Sequence, residues 1–199
     1  MKKFVKNLAI GIIYVLVIPS GLLTRLWYSV FGSVLVFEFF AQTYALCPGL
    51  PGVFTRTCYY KQVLKKSHLD LYIGFGSLFS KMETVVGKNV LITGRSTIGL
   101  TEIGDNAVIA NYVSVLSGRY QHNFNDVSVG IQSIDTFVKI KIGTNSFVGE
   151  GCIIMADIGD YSVIGAGSVV NKPIPDYVVA VGNPARVVKE RARPKMTSK

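Results

Sequence analysis

A six-residue repeat of aliphatic side chains constrains the fold of this chain more than any other feature. It occurs in two runs, one on each side of an interruption between Ser117 and Lys141. A half-buried strand alternates with a period of two and an amphipathic helix with a period of 3.6, so neither explains a period of six. The aliphatic positions are Val86, Ile92, Ile98, Ile103, Ile109 and Val115, then Ile142, Val148, Ile154, Ile158, Ile164 and Val170.

This period predicts a three-sided β-helix, in which one aliphatic side chain of each short strand points inward and successive coils stack on one another. Each corner needs a compact residue, and the position two before the aliphatic residue is small or β-branched. Cys152 falls on one of these positions, so we interpret it as a packing residue and not as a nucleophile. The compact residues are Val90, Ser96, Ala107, Val113, Ser146, Cys152, Ser162 and Ser168.

The end of the second run is more specific than the repeat itself. On these residues the chain resembles the hexapeptide-repeat acyltransferase superfamily over about residues 70–190, and in particular acetyl-CoA-dependent sugar O-acetyltransferases of surface-polysaccharide (colanic-acid-type) biosynthesis. The resemblance implies a mainly β fold, a left-handed parallel β-helix, that assembles as a homotrimer. The residues are Ile158-Gly159-Asp160-Tyr161-Ser162-Val163-Ile164-Gly165-Ala166-Gly167-Ser168-Val169-Val170, then Asn171-Lys172-Pro173-Ile174-Pro175 and Gly182-Asn183-Pro184-Ala185-Arg186.

The first 46 residues predict an apolar α-helical hairpin associated with a membrane. Two charge-free runs, residues 8–23 and 26–37, are each shorter than the roughly 20 residues that a spanning helix needs. Pro19-Ser20-Gly21 is a natural break, so two short helices that enter one leaflet and return fit this pattern. Two full spans, a signal peptide and a pair of buried helices in a soluble protein are the alternatives.

The formal net charge of +9 is concentrated at the two ends of the chain. Residues 1–66 carry +7, residues 67–185 carry −3 and residues 186–199 carry +5. A nucleic-acid-binding protein usually carries its basic residues on the main folded surface, so we expect no nucleic-acid partner.

Lysines on both sides of the hairpin predict that both its ends are cytoplasmic. The expected location is the inner (cytoplasmic) membrane, with the catalytic domain facing the cytoplasm. The three cysteines, Cys47, Cys58 and Cys152, cannot all pair within one chain, and a reduced, cytosol-facing protein is the simplest explanation.

These patterns divide the chain into four parts. Residues 1–46 are the hairpin and residues 47–69 a connector. Arg56, Lys61 and several aromatic residues in the connector suggest a helix on lipid head groups. Residues 70–185 are the β-helix domain, with an active-site loop at 117–141, and residues 186–199 are a basic tail.

His122 lies in the loop that interrupts the repeat and is our candidate general base. Acyl transfer from a thioester to a hydroxyl needs a group that removes the hydroxyl proton, and imidazole titrates in the right range. Asp126, which we favour as a catalytic residue, Asp135 and Glu150 are candidates to orient the imidazole. His68 is the second candidate base. With only two histidines in the chain, a three-histidine zinc site is excluded and no metal is expected.

The resemblance also implies a coenzyme A site near the C-terminal coils. Small residues there would admit the pantetheine arm, and Lys172 and Arg186 would pair with phosphates. The four-residue step from Ile154 to Ile158 departs from the repeat and would reshape this groove. The candidates are Gly149, Ala166, Gly167, Ser168, Lys172, Asn183, Pro184 and Arg186.

The favoured function is an acetyl-CoA-dependent O-acetyltransferase that modifies a sugar hydroxyl of a polysaccharide or lipid-linked glycan precursor. N-acetylation of an amino sugar, or acetylation of a small metabolite, is the second hypothesis. The third is a non-catalytic trimeric β-helix scaffold, which predicts no binding of coenzyme A.

Overall fold

The computed structural model describes residues 2–117 and 137–193, with the side chains from residue 8 onward. Three helices come first: α1 (Lys2–Phe31), α2 (Leu35–Ala45) and α3 (Gly49–Val63). Short strands follow in the described residues: β1 (Tyr72–Ile73), β2 (Leu78–Phe79), β3 (Val85–Val86), β4 (Leu91–Ile92), β5 (Thr97–Ile98), β6 (Thr101–Ile103), β7 (Val108–Ile109), β8 (Ser114–Val115), β9 (Ile140–Ile142), β10 (Phe147–Val148), β11 (Ile153–Ile154), β12 (Val163–Ile164), β13 (Val169–Val170), β14 (Val178–Val181) and β15 (Arg186–Glu190).

The strands form the three faces of a parallel β-helix. Face 1 has the order β1-β4-β7-β10-β12-β14, face 2 the order β2-β5-β8-β11-β13, and face 3 the order β3-β6-β9, continued by single bridges at Ile158 and Ile174. Neighbouring coils are in register, so that Ile92 pairs with Ile109 and Ile98 with Val115. The aliphatic residues therefore stack in columns.

The repeat predicted this core residue by residue. All twelve aliphatic positions are at most 2% exposed, and all eight compact positions are buried as well. The coils also stack closely: a Cβ added at Gly143 would lie 2.5 Å from the backbone nitrogen of Asp160 in the next coil. The prediction of a three-sided β-helix is confirmed.

The predicted break at Pro19 is wrong, because α1 continues through it to Phe31. The Ser20 hydroxyl donates to the carbonyl oxygen of Val17 over 2.7 Å within the helix next to this proline. The chain turns instead at Gly32, whose φ of 62° lies in the left-handed region that favours glycine. A single long helix thus replaces the two short ones.

The stretch Leu8–Phe31 of α1 is long and apolar enough to cross a membrane, with a mean hydropathy of 1.9. Length and composition alone are weak grounds for a membrane span, since a signal sequence or a core helix has the same properties. Only 22% of the apolar window is buried in this structure, which leaves most of it uncovered by the protein.

Helix α3 joins the other helices to the β-helix, and its two tyrosines are not on the surface as the connector's composition suggested. Tyr59 and Tyr60 are fully buried. Tyr59 donates its hydroxyl to the carbonyl oxygen of Phe37 over 3.2 Å, and the Tyr60 hydroxyl accepts the N–H of Phe79 over 3.2 Å. These side chains therefore contact protein instead of lipid head groups.

Two further differences concern the C-terminal coils. Residues 186–190 of the expected basic tail form β15, which pairs with β14 in antiparallel orientation. The four-residue step from Ile154 to Ile158 recurs one coil later, from Val170 to Ile174, and both pairs are buried in the core. The short step is therefore a repeated feature of the corner between faces 2 and 3.

Candidate functional site

The interruption of the repeat leaves the β-helix at the corner between faces 2 and 3. It follows β8 of face 2, and the chain returns to β9 of face 3 in the same coil. Its base is closed by a hydrogen bond of 3.1 Å from the N–H of Val138 to the carbonyl oxygen of Ser117. His122, Asp126 and Asp135 lie outside the described residues, so their roles stay predictions.

Lys81 is a further residue at this base, and sequence reasoning missed it. Its Nζ lies 4.0 Å from the centre of the Phe137 ring, at the point where the chain returns from the loop. A cation over an aromatic face is an attractive contact. The repeat pattern gave no signal for Lys81, because the residue lies between strands and its partner follows the interruption.

The structure separates His68 from this corner. His68 precedes β1 and therefore lies at the corner between faces 3 and 1, in the first coil. Its carbonyl oxygen accepts the N–H of Leu71 over 3.3 Å, as part of a turn. Glu150, the third candidate to orient the base, is exposed at the corner between faces 1 and 2.

Five of the predicted cofactor residues share that same corner between faces 1 and 2. Backbone hydrogen bonds join neighbouring coils at this corner. Gly167 N–H donates to the carbonyl oxygen of Glu150 over 2.8 Å, and Val169 N–H donates to that of Gly182 over 3.0 Å. Gly167 has a φ of 68°, and a Cβ there would meet open space. The surface at Gly167 is thus free of side chains. The five residues are Gly149, Ala166, Gly167, Asn183 and Pro184.

The remaining three cofactor candidates lie elsewhere. Lys172 is exposed at the corner between faces 2 and 3, the corner from which the loop emerges, and Arg186 is exposed at the start of β15. Ser168 is fully buried. Its hydroxyl donates to the oxygen of Gly165 over 2.6 Å and accepts the N–H of Gly182 over 3.1 Å, so it holds two coils together and does not face a groove.

Face 2 therefore lies between the two corners that carry the candidate residues. The small-residue corner borders one edge of the face, and the loop base and Lys172 border the other. Residues of face 2 that are at least partly exposed are Leu78, Thr97, Ser114, Ile153 and Val169. We define face 2 with its two corners as the candidate site.

Most aspartates of the described coils connect neighbouring coils by hydrogen bonds, so we assign them a structural role and not a catalytic one. Each accepts a backbone N–H of a neighbouring coil, and such charge-assisted bonds satisfy donors that the corners leave unpaired. The pairs are Asp105 with Lys88 N at 2.7 Å, Asp157 with Lys141 N at 2.8 Å, Asp160 with Thr144 N at 2.8 Å and Asp176 with Asp160 N at 2.7 Å. Within residues 2–117 and 137–193, no group of three or more His, Cys, Asp or Glu side chains is placed to bind a metal.

Cys152 is a packing residue, as its place in the repeat predicted. It is fully buried, and its Sγ lies 3.1 Å from the carbonyl oxygen of Gly165. Burial raises the pKa of the thiol, which disfavours the reactive thiolate.

Comparison with known proteins agrees with this architecture. A family model described as the hexapeptide repeat of succinyl-transferase matches residues 83–117 and 139–172. A maltose O-acetyltransferase from Clostridium difficile 630 is 25% identical with a TM-score of 0.65, over 79% of this chain and 86% of that one. A galactoside acetyltransferase solved in complex with coenzyme A is 26% identical with a TM-score of 0.65, over 79% and 80%.

A hexapeptide-repeat acetyltransferase from Vibrio cholerae shares the fold at 14% identity, with a TM-score of 0.58 over 79% of this chain and 90% of that one. No curated protein sequence matches the chain significantly. The stacked coils and the corner insertion define a hexapeptide-repeat β-helix protein. The repeat region matches the hexapeptide-repeat family model over about a third of the chain and is similar to two sugar acetyltransferases of this fold.

Proposed function

We propose that this protein is an acetyl-CoA-dependent O-acetyltransferase that modifies a sugar hydroxyl of a polysaccharide or of a lipid-linked glycan precursor. The observation that carries the proposal is the similarity to two sugar acetyltransferases, one of them holding coenzyme A, over 79% of this chain. The insertion between Ser117 and Lys141 supports it, because loops extended from a rigid scaffold are frequent sites of catalysis.

His122 acts as the general base in this proposal. Its imidazole takes the proton of the acceptor hydroxyl while the hydroxyl oxygen attacks the acetyl carbonyl carbon, and it then returns that proton to the departing thiolate. Asp126 or Asp135 orients the ring by accepting its other N–H. Glu150 is left out of this role because it lies at the corner between faces 1 and 2, across face 2 from the loop base. A backbone N–H at the edge of a coil stabilises the negative charge that develops on the carbonyl oxygen.

The coenzyme site is proposed to lie along face 2. When bound, acetyl-CoA supplies an activated acetyl thioester. The exposed small corner at Ala166 and Gly167 leaves space for the pantetheine arm, and Lys172 and Arg186 pair with phosphates. Ser168 is left out of this set because its side chain is buried. A homotrimer would place a second β-helix along such a groove.

The helical segment is proposed to hold the enzyme on the inner membrane, with the β-helix in the cytoplasm. Val17, Ser20 and Thr24 are buried on one side of α1, where Ser20 bonds to Tyr44 of α2 and Thr24 to Tyr59 of α3, whereas many other residues of α1 are apolar and exposed. Apolar patches of this extent on a soluble surface mark interaction sites. The exposed large apolar residues of α1, apart from Tyr28, are Leu8, Ile12, Val15, Leu16, Leu22, Leu23, Leu26, Val30 and Phe31.

Two measurements on purified full-length protein test the proposal. Coenzyme A should raise the unfolding temperature, whereas a non-catalytic scaffold predicts no shift. His122→Ala should lower the rate of coenzyme A release in the presence of a glycan acceptor by about 100-fold or more, since general bases contribute on this scale. His68→Ala is the matched control and should retain activity. If His68→Ala lost activity and His122→Ala kept it, His68 would be the base.

A further inference from the structure

A pocket of about 430 Å³ lies between the helices and the first coil, outside the candidate site. Val63, Leu64 and Met82 are its buried apolar wall. Four polar residues of the lining, Arg25, Tyr28, Lys65 and Glu83, are exposed. The pocket thus combines an apolar wall with a charged rim.

The rim is held in place by hydrogen bonds. Arg25 donates its Nε–H to the carbonyl oxygen of Gln62 over 2.5 Å, and the Lys65 N–H donates to the oxygen of Met82 over 2.7 Å. The Tyr28 hydroxyl donates to Glu83 Oε1 over 2.9 Å. This bond and the charge of Glu83 raise the pKa of Tyr28, so the hydroxyl stays protonated at neutral pH. Two cations and one carboxylate leave a net positive charge.

The surroundings of the pocket indicate the kind of anion that fits it. Leu22 and Leu26 flank Arg25 on α1, and they are 62% and 63% exposed. A ligand that places an anionic group between Arg25 and Lys65 has an apolar surface beside it for a hydrocarbon chain. An amphiphile matches both features, and a free anion matches only one.

The pocket also lies on the edge of the β-helix from which the loop emerges. Met82 and Glu83 belong to the corner between faces 2 and 3 in the first coil, and the adjacent Lys81 contacts Phe137 at the loop base. An acceptor anchored in the pocket would therefore have its sugar on the side of the loop base. This step rests on the proposed function.

We propose that this pocket binds the phosphate or diphosphate ester of a lipid-linked acceptor, with Arg25 and Lys65 as the anion ligands and the apolar face of α1 as the contact for the lipid chain. Glu83 opposes the anion and limits its affinity. The site selects acceptors that are still attached to their lipid carrier.

Tryptophan fluorescence can report binding directly, because Trp27 is the only tryptophan in the chain and is adjacent to Tyr28. Full-length protein in nanodiscs of neutral lipid is titrated with farnesyl diphosphate. Arg25→Gln and Lys65→Gln should each weaken binding about tenfold, as expected for one charge-assisted contact. Glu83→Gln should strengthen it, and the control Lys88→Gln, an exposed lysine of another corner, should leave it unchanged.

Three probes separate the possible ligands. Farnesol and inorganic pyrophosphate should each bind at least tenfold more weakly than farnesyl diphosphate. Equal binding of pyrophosphate, displacement by phosphatidylglycerol in the nanodisc, or unchanged binding by both cation variants would overturn the proposal.

Failure of this proposal is distinguishable from failure of the enzymatic one. Arg25→Gln and Lys65→Gln should keep the thermal shift with coenzyme A and the transfer to a soluble glycan that carries no phosphate. If wild-type protein bound farnesyl diphosphate but transferred no acetyl group, only the proposed function would be contradicted.

Discussion

Arg56 donates its Nε–H to the carbonyl oxygen of Ile73 over 2.9 Å and so ties α3 to the first strand of the β-helix. The same guanidinium donates from Nη1 to the oxygens of Tyr44 and Cys47, at 2.8 and 2.7 Å, near the C-terminal end of α2. A positive charge at this end of a helix interacts favourably with its dipole. Arg56 is fully buried, and this desolvation lowers its pKa.

Replacing Arg56 should therefore destabilise the junction between the helices and the coils. Arg56→Leu removes the donor of four carbonyl groups, those of Ile73, Tyr44, Cys47 and, at 3.5 Å, Ala45, and should cost about 2–4 kcal/mol. The exposed cation Lys141 is the control, and Lys141→Leu should change stability by about 0.5 kcal/mol or less. Thermal unfolding in detergent measures both; equal stability of the two variants would show that the Arg56 bonds do not matter.

The inward column predicts a contrast between adjacent residues of β12. Ile164 is fully buried, whereas Val163 is half-buried on the outer side of the strand. Ile164→Ala should cost about 2–5 kcal/mol because it leaves a cavity between stacked coils. Val163→Ala should cost clearly less. Unfolding by denaturant compares them, and similar losses would argue against a filled interior.

Cysteine modification should follow burial. Burial raises the pKa of Cys58 to about 11, so at pH 8 its thiol is protonated and unreactive. Its alkylation should accelerate only as the pH rises toward that value, because the thiolate is the nucleophile. With iodoacetamide at pH 8, the half-buried Cys47 should react first, as peptide mass mapping would show. Rapid labelling of Cys152 in native protein would contradict its role in packing.

Membrane attachment should depend on the exposed side of α1. Leu16 and Leu22 are 72% and 62% exposed, so Leu16→Glu combined with Leu22→Glu should release protein from the membrane pellet without unfolding it. Thr97→Glu on the β-helix is the control. These variants test membrane attachment more specifically than deletion of residues 1–46, because that deletion would also expose the buried Tyr59. If the double variant still pelleted with membranes, the exposed side of α1 would not be the site of membrane attachment.

The sequence predicted the β-helix well because its period is local and each inward residue repeats. The helical segment was harder, since the fate of Pro19 depends on tertiary contacts and not on the proline alone. Burial of Arg56 was also hidden, because its partners are carbonyl oxygens on α2 and β1, distant in sequence. Ser168 was likewise predicted as a cofactor residue but is buried. Its position in the motif does not tell whether the side chain faces a groove or a neighbouring coil.

The fate of the acetyl group tests the central claim most directly. Protein is incubated with acetyl-CoA labelled in its acetyl group and with a glycan acceptor, and the product is treated with mild base. An O-acetyltransferase should give a labelled glycan that loses its label in base, because an ester is cleaved under conditions that leave an amide intact. A base-stable label would identify an N-acetyltransferase, and no label on any glycan, with no binding of coenzyme A, would contradict the account.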